Sequence, residues 1–121
     1  MGSSRVFIVE DEALIALELE DLLCELGYSV CGHAARGDSA VVQVPAVKPD
    51  ILLLDVSLAG ALTGVDVLVA LRGIWSGAIL LITAYSDLVR RDPRADGVPV
   101  LLKPFSRDSL RESLSSFHKG P

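Results

Sequence analysis

Apolar and polar positions along the chain follow two alternating rhythms. Arg5 to Val9, Ile51 to Leu54, Ala78 to Ile82 and Val98 to Leu102 are short runs dense in branched apolar residues, with no regular polar face. Such runs read as strands covered on both sides in a parallel sheet. Tyr28 to Ala34 is a fifth, less hydrophobic run and is expected nearer an edge. Between the runs the period lengthens to that of a helix. Ile15, Leu19, Leu22, Leu23 and Leu26 recur at helical spacing, Glu18, Asp21 and Glu25 fall largely between them, and Gly27 follows as a stop. A second helix is predicted from Gly37 or Asp38, but Pro45 falls where its middle should be. Proline inside a helix costs roughly 3 kcal/mol, so this helix is expected to be short, kinked or restarted after Val44. A third is predicted from about Val65 to Arg72, with Asp66 suiting the positive end of its dipole. A brief fourth covers Ser86 to Asp92, cut off by Pro93. Ser106 caps the last, which carries Leu110, Leu114 and Phe117 on one face. Strands alternating with helices, about five of each, predict an α/β fold: a doubly wound parallel sheet with right-handed crossovers.

Composition narrows this to one domain, since 121 residues can bury a core but not two. Half the residues are hydrophobic and only 5% aromatic, so the core must be aliphatic. We read residues 1–4 as a flexible leader, 5–118 as the domain and 119–121 as a tail. The net charge of -5, with basic residues scattered, argues against direct nucleic acid binding. No signal peptide or membrane-spanning run is visible, so no membrane partner is expected and the expected address is cytoplasmic. Cys24 and Cys31 form no Cys-x-x-Cys pattern and have no nearby His pair, so each is expected to be a small buried hydrophobe.

The chemistry lies where the apolar runs stop. They end in Glu10-Asp11, Asp55, Thr83 and Lys103. In a parallel sheet these ends open on one edge, which is where ligands bind in open α/β folds. Taken singly, each has a plain structural reading: Glu10-Asp11 as a helix-capping pair, Asp55 as a cap or loop acid, Thr83 as a turn residue, Lys103 as a solvated cation. Their coincidence at strand ends favours a site. Three close carboxylates cannot all stay ionised cheaply without a cation, and a hard divalent ion with oxygen ligands, Mg2+ above all, meets that demand. Asp55, on the best-buried strand, is then the natural nucleophile toward a phosphoryl group. Lys103 would neutralise charge on the phosphoryl oxygens and the Thr83 hydroxyl would donate to one of them.

Val9-Glu10-Asp11-Glu12, Leu52-Leu53-Leu54-Asp55-Val56, Thr83-Ala84 and Lys103-Pro104-Phe105, in this order, resemble the receiver domain of bacterial two-component response regulators. The likeness runs from Val6 to about Phe117. It implies a flavodoxin-like five-stranded fold, phosphorylation of Asp55 by a sensor histidine kinase or histidine phosphotransfer protein, and a downstream protein or effector domain that reads the result. It further implies Mg2+ held by Asp11, Asp55, the Ser57 backbone carbonyl and, through water, Glu10, with a cis bond before Pro104. Three places depart from the usual pattern. Val100 stands where such receivers carry an inward-turning aromatic. The stretch from Thr83 to Lys103 is short and holds Pro93, so the fourth helix is expected to be reduced. Ala59-Gly60 replaces a common proline in a loop about one residue longer before Gly64. These features resemble an atypical receiver subgroup with a reduced fourth helix and no switch aromatic.

Two other readings compete. A pseudo-receiver acting as a constitutive binding module would lack an acid or the lysine, and none is missing. A haloacid-dehalogenase-like phosphohydrolase also forms an aspartyl phosphate, but Ser57 stands where its second Asp would be.

Overall fold

The computed structural model describes residues 4–117, and the expected tail at 119–121 and most of the expected leader lie outside them. Five strands form one parallel sheet: β1 Arg5–Val9, β2 Ser29–Ala34, β3 Ile51–Asp55, β4 Ala78–Thr83 and β5 Val100–Leu102, in the order β2-β1-β3-β4-β5. The helices are α1 Ala13–Glu25, α2 Gly37–Val47, α3 Gly64–Leu71, α4 Ser86–Arg90 and α5 Arg107–Ser115, with a 3-10 turn at Pro93–Ala95. This is the doubly wound α/β architecture of the flavodoxin-like fold, in a single domain.

The apolar runs lack a polar face because both faces of the sheet are covered. Successive side chains on a strand point to opposite faces. Val6, Ile8, Ile51, Leu53, Leu80 and Ile82 pack with Leu19 and Leu23 of α1 and Leu110 and Leu114 of α5. Phe7, Val9, Leu52, Leu54 and Leu81 pack on the other side with Ala40 and Val44 of α2 and Val67, Leu68 and Leu71 of α3. The central strand β3 is buried along all five residues, so its terminal Asp55 is carried into the interior by its own strand. β2 lies at an edge, as its weaker hydrophobicity predicts. Its register with β1 shifts between Val6 and Phe7, where Gly32 passes the Phe7 ring so closely that a Cβ would stand 2.6 Å from Phe7 Cε2.

α2 does not begin again after Val44: it continues through Pro45 and ends two residues later at Val47, so the proline falls in the last turn. The helix is closed by the Lys48 amide donating to the Val44 carbonyl (2.9 Å), with Lys48 in the left-handed region at φ 56. Arg5 Nη1 then donates to the orphaned carbonyls of Val47 (3.0 Å) and Lys48 (2.9 Å). Cys24, expected inside, is exposed. It follows Leu23 of the buried Ala16, Leu19, Leu23 stripe, and one residue turns a helix by about 100°. Cys31 is half-buried.

Among the described residues, no helix is long and apolar enough to cross a membrane.

Candidate functional site

Parallel pairing brings the strand ends to one edge of the sheet. β1 leads into Glu10 and Asp11, β3 ends in Asp55, β4 in Thr83, and β5 passes into Lys103. Glu10, Asp55 and Thr83 are buried polar side chains in a shell of aliphatic ones, while Asp11 is exposed at the mouth. The Lys103 amide donates to the Thr83 carbonyl (2.9 Å), which fixes where the lysine leaves the sheet, and the following Lys103–Pro104 bond is cis.

Lys103 Nζ stands between two acids, 3.0 Å from Glu10 Oε1 and 3.2 Å from Asp55 Oδ2. Three of the four remaining carboxylate oxygens are oriented by backbone amides. Glu12 donates to Glu10 Oε2 (3.0 Å), Ser57 to Asp55 Oδ1 (3.1 Å), and Ala59 to Asp11 Oδ2 (3.1 Å). From the edge strand, His33 Nε2 donates to the Glu10 carbonyl (2.9 Å). Glu10, Asp11 and Asp55 each offer an oxygen within 4.8 Å of the others.

One ammonium against three carboxylates leaves the cluster short of positive charge. Burial pushes the Glu10 carboxyl up to about 7, opposed by the Glu12 amide and Lys103 and reinforced by the Asp55 charge. Burial works against the Lys103 ammonium too, yet the facing Glu10 and Asp55 carboxylates outweigh it and raise its pKa. Glu10 Oε1 is the one buried side-chain polar atom, among the described residues, without a hydrogen-bond partner; its contact with Lys103 is an ion pair without hydrogen-bond alignment. Three oxygen donors and a charge deficit, with one buried oxygen held by an ion pair and no hydrogen bond, fit a hard divalent ion such as Mg2+.

A family model for the response regulator receiver domain matches residues 6–115. The chain belongs to that family. Over 108 residues this receiver domain is 38% identical to the transcriptional regulatory protein PdtaR of Mycobacterium tuberculosis, a match covering 88% of the chain and 52% of PdtaR. The chain thus spans about half the length of the first curated relatives it matches. The receiver domain of the Erythrobacter litoralis response regulator PhyR superposes with a TM-score of 0.89 at 33% identity, covering 100% of this chain and 96% of that one. The receiver domain of the sensor histidine kinase PA1611 from Pseudomonas aeruginosa PAO1 is 26% identical, with a TM-score of 0.83 over 96% and 98% of the two chains; that crystal structure has a magnesium ion coordinated in its active-site cleft.

The receiver's candidate residues Glu10, Asp55 and Lys103 are thus in direct contact, and Asp11 lies within ligand distance of both other acids. Ser57 reaches Asp55 through its amide. Thr83 has the turn role that was one of its two sequence readings. Its Oγ1 accepts from the Tyr85 amide (2.9 Å), while its own donation to the Tyr85 carbonyl is long at 3.4 Å. The hydroxyl proton is therefore weakly held and available to another acceptor.

Gly64 was seen in the sequence only as a mark in the loop. Its amide donates to the Val56 carbonyl (2.9 Å), and a Cβ on it would stand 2.2 Å from the Asp55 carbonyl oxygen. Thr63 caps α3, with its Oγ1 accepting from the Asp66 amide (3.2 Å) and Asp66 Oδ2 from the Thr63 amide (2.9 Å). The Thr-x-x-Asp spacing, which resembles a capping box, was the available signal.

The Glu10 shift carries a testable sign. A carboxyl with a higher pKa folded than unfolded binds more protons when folded, so its contribution to stability is present below about 4.5 and lost as pH rises through about 7. In chelator, urea-unfolding free energy is expected to decline over that window, and Glu10→Gln to flatten the decline. An unchanged slope in the variant would assign the effect elsewhere.

Proposed function

We propose that Asp55 accepts a phosphoryl group from a phosphohistidine of a sensor histidine kinase or histidine phosphotransfer protein. The reading rests on the Lys103 ammonium, 3.2 Å from Asp55 Oδ2 at the buried end of β3. An Asp55 carboxylate oxygen attacks phosphorus through a lone pair that its hydrogen-bond partner does not use, the bond from phosphorus to the donor imidazole nitrogen breaks, and that nitrogen keeps the electron pair, to be protonated from solvent. The product is an acyl phosphate on Asp55. Ser57 and Lys103 hold the carboxylate so that it presents an oxygen rather than rotating, which lowers the entropic part of the barrier. Lys103, already between two acids, turns part of its charge toward the transferred group. Thr83 donates its weakly held proton to a phosphoryl oxygen.

Asp11, Asp55 and the Ser57 carbonyl would hold Mg2+ directly and Glu10 through water, consistent with the three-oxygen cluster. Bound there, the ion would offset negative charge on the phosphoryl oxygens. The domain, residues 5–118, acts as a switch rather than a turnover catalyst, working in the cytoplasm and altering affinity for a downstream protein or effector domain. Its output segment is the connection from Ala84 to Gly97, since Val100 supplies no aromatic to rotate. A constitutive binding module would have no use for a complete set of acids and lysine in contact. Incubation with acetyl phosphate is expected to add one phosphoryl group, read by intact mass, with Mg2+ and none in chelator. Uptake indifferent to divalent ions would overturn the metal assignment.

A further inference from the structure

The connection between β4 and β5 is fastened at both ends to groups that lead back to Asp55. At its start the Tyr85 amide donates to Thr83 Oγ1 (2.9 Å). At its end Arg94 Nη1 donates to Asp66 Oδ1 (3.1 Å), in the first turn of α3. We infer that Arg94 is a positioning residue that couples this connection to the phosphoacceptor through the capped N-terminus of α3, an inference that rests on the phosphoacceptor reading of Asp55.

The contacts are continuous. The first residue of α3, Gly64, lies against the Asp55 and Val56 backbone with no room for a side chain. The Asp66 carboxylate divides its oxygens, Oδ2 to the Thr63 amide and Oδ1 to Arg94. Any rotation of the cap therefore shifts the contact to Arg94 as well. The guanidinium is oriented by Asp92, which accepts from Nε (3.0 Å) and Nη2 (2.8 Å) in the planar two-bond geometry that arginine favours. The other end of α3 grips the same residue, since Arg72 Nη2 donates to the Arg94 carbonyl. Ala95, next in the chain, is buried in the core beside α3.

One feature suits a latch rather than a rivet. The Arg94 and Asp66 side chains are 48% and 34% exposed, and ion pairs so open to water are weak and salt-screened. α4 is five residues long and anchors the connection in the core by Val89. The coupling requires that both arrangements of the connection be accessible and that the Asp55 loop favour them unequally.

Amide NMR of the full chain tests this, with Mg2+ and beryllofluoride as phosphoryl mimic. In the native sequence, binding is expected to shift the Tyr85 and Ser86 amides at one end and those of Asp92, Arg94 and Ala95 at the other. In Arg94→Met the second group is expected to lose most of its response, the part carried by the side chain, while the first keeps its full response. Asp66→Asn, which retains an acceptor for the Thr63 amide and loses the charge, is expected to do the same. A native-sized response of this second group in both variants would overturn the coupling. So would beryllofluoride bound at Asp55 with shifts confined to Tyr85 and Ser86. Failure of the mimic to bind at all would instead overturn the phosphoacceptor reading on which the coupling stands.

Discussion

Asp55→Asn is expected to take up no phosphate from acetyl phosphate and Mg2+, with the native chain gaining one phosphoryl group under the same conditions. The amide is close to isosteric and its oxygen still accepts from Ser57, so the geometry of the loop survives. What is lost is the nucleophile, because a carboxamide oxygen has little of the carboxylate's negative charge to give to phosphorus. Lys103 retains Glu10 as partner, so the lysine is not stranded. Removing one of three crowded acids relieves repulsion, and the metal-free variant is expected to be no less stable than the native chain in urea unfolding. A mass gain in Asp55→Asn would mean that phosphate goes to another side chain, and the assignment of the site would fall.

Gly64→Ala is expected to cost about 3 kcal/mol, at the upper end of what inserting one carbon into a packed site usually does. The added Cβ would stand 2.2 Å from the Asp55 carbonyl oxygen and 2.7 Å from Val56 Cα. Both are backbone atoms of the central strand and its immediate exit, and neither can turn aside as a side chain would. The helix must back away, taking the Thr63 and Asp66 cap and the Val65 and Val67 contacts with it. Gly73→Ala is the control. Nothing lies within 4 Å of its Cβ position, so its cost is the positive φ of 85, about 1 kcal/mol. Equal losses in the two variants would show that close approach at Asp55 is not what Gly64 provides.

Much of this was legible before any coordinates. The runs around Leu53 and Leu81 were recognisable as strands because burial on both faces leaves no polar alternation, and the sheet conforms; the run around Leu101 is a strand too, but an edge one limited to Val100–Leu102, with Leu102 exposed. The residues at their ends were recognisable as a site because parallel strands share an edge. Less was legible where partners are distant in sequence. How the helix that holds Pro45 is closed could not be read from its own residues, because Arg5, on the first strand, satisfies the carbonyls at its end. Cys24 looked buried from residue type alone, while its place one step past Leu23 turns it outward.

Sequence alone determined the architecture and the chemical inventory: which segments must be covered, and that three acids, a hydroxyl and an ammonium stand at their ends. Both follow from local properties, hydrophobic period and residue type, which a chain carries whether or not it is folded. Tertiary structure decided how those groups are committed: Lys103 shared between Glu10 and Asp55, the Thr83 oxygen occupied by Tyr85, and Asp66 divided between its own cap and Arg94. Such commitments depend on ångström distances and on the few hydrogen-bonding positions each group owns, and only the packed chain sets them.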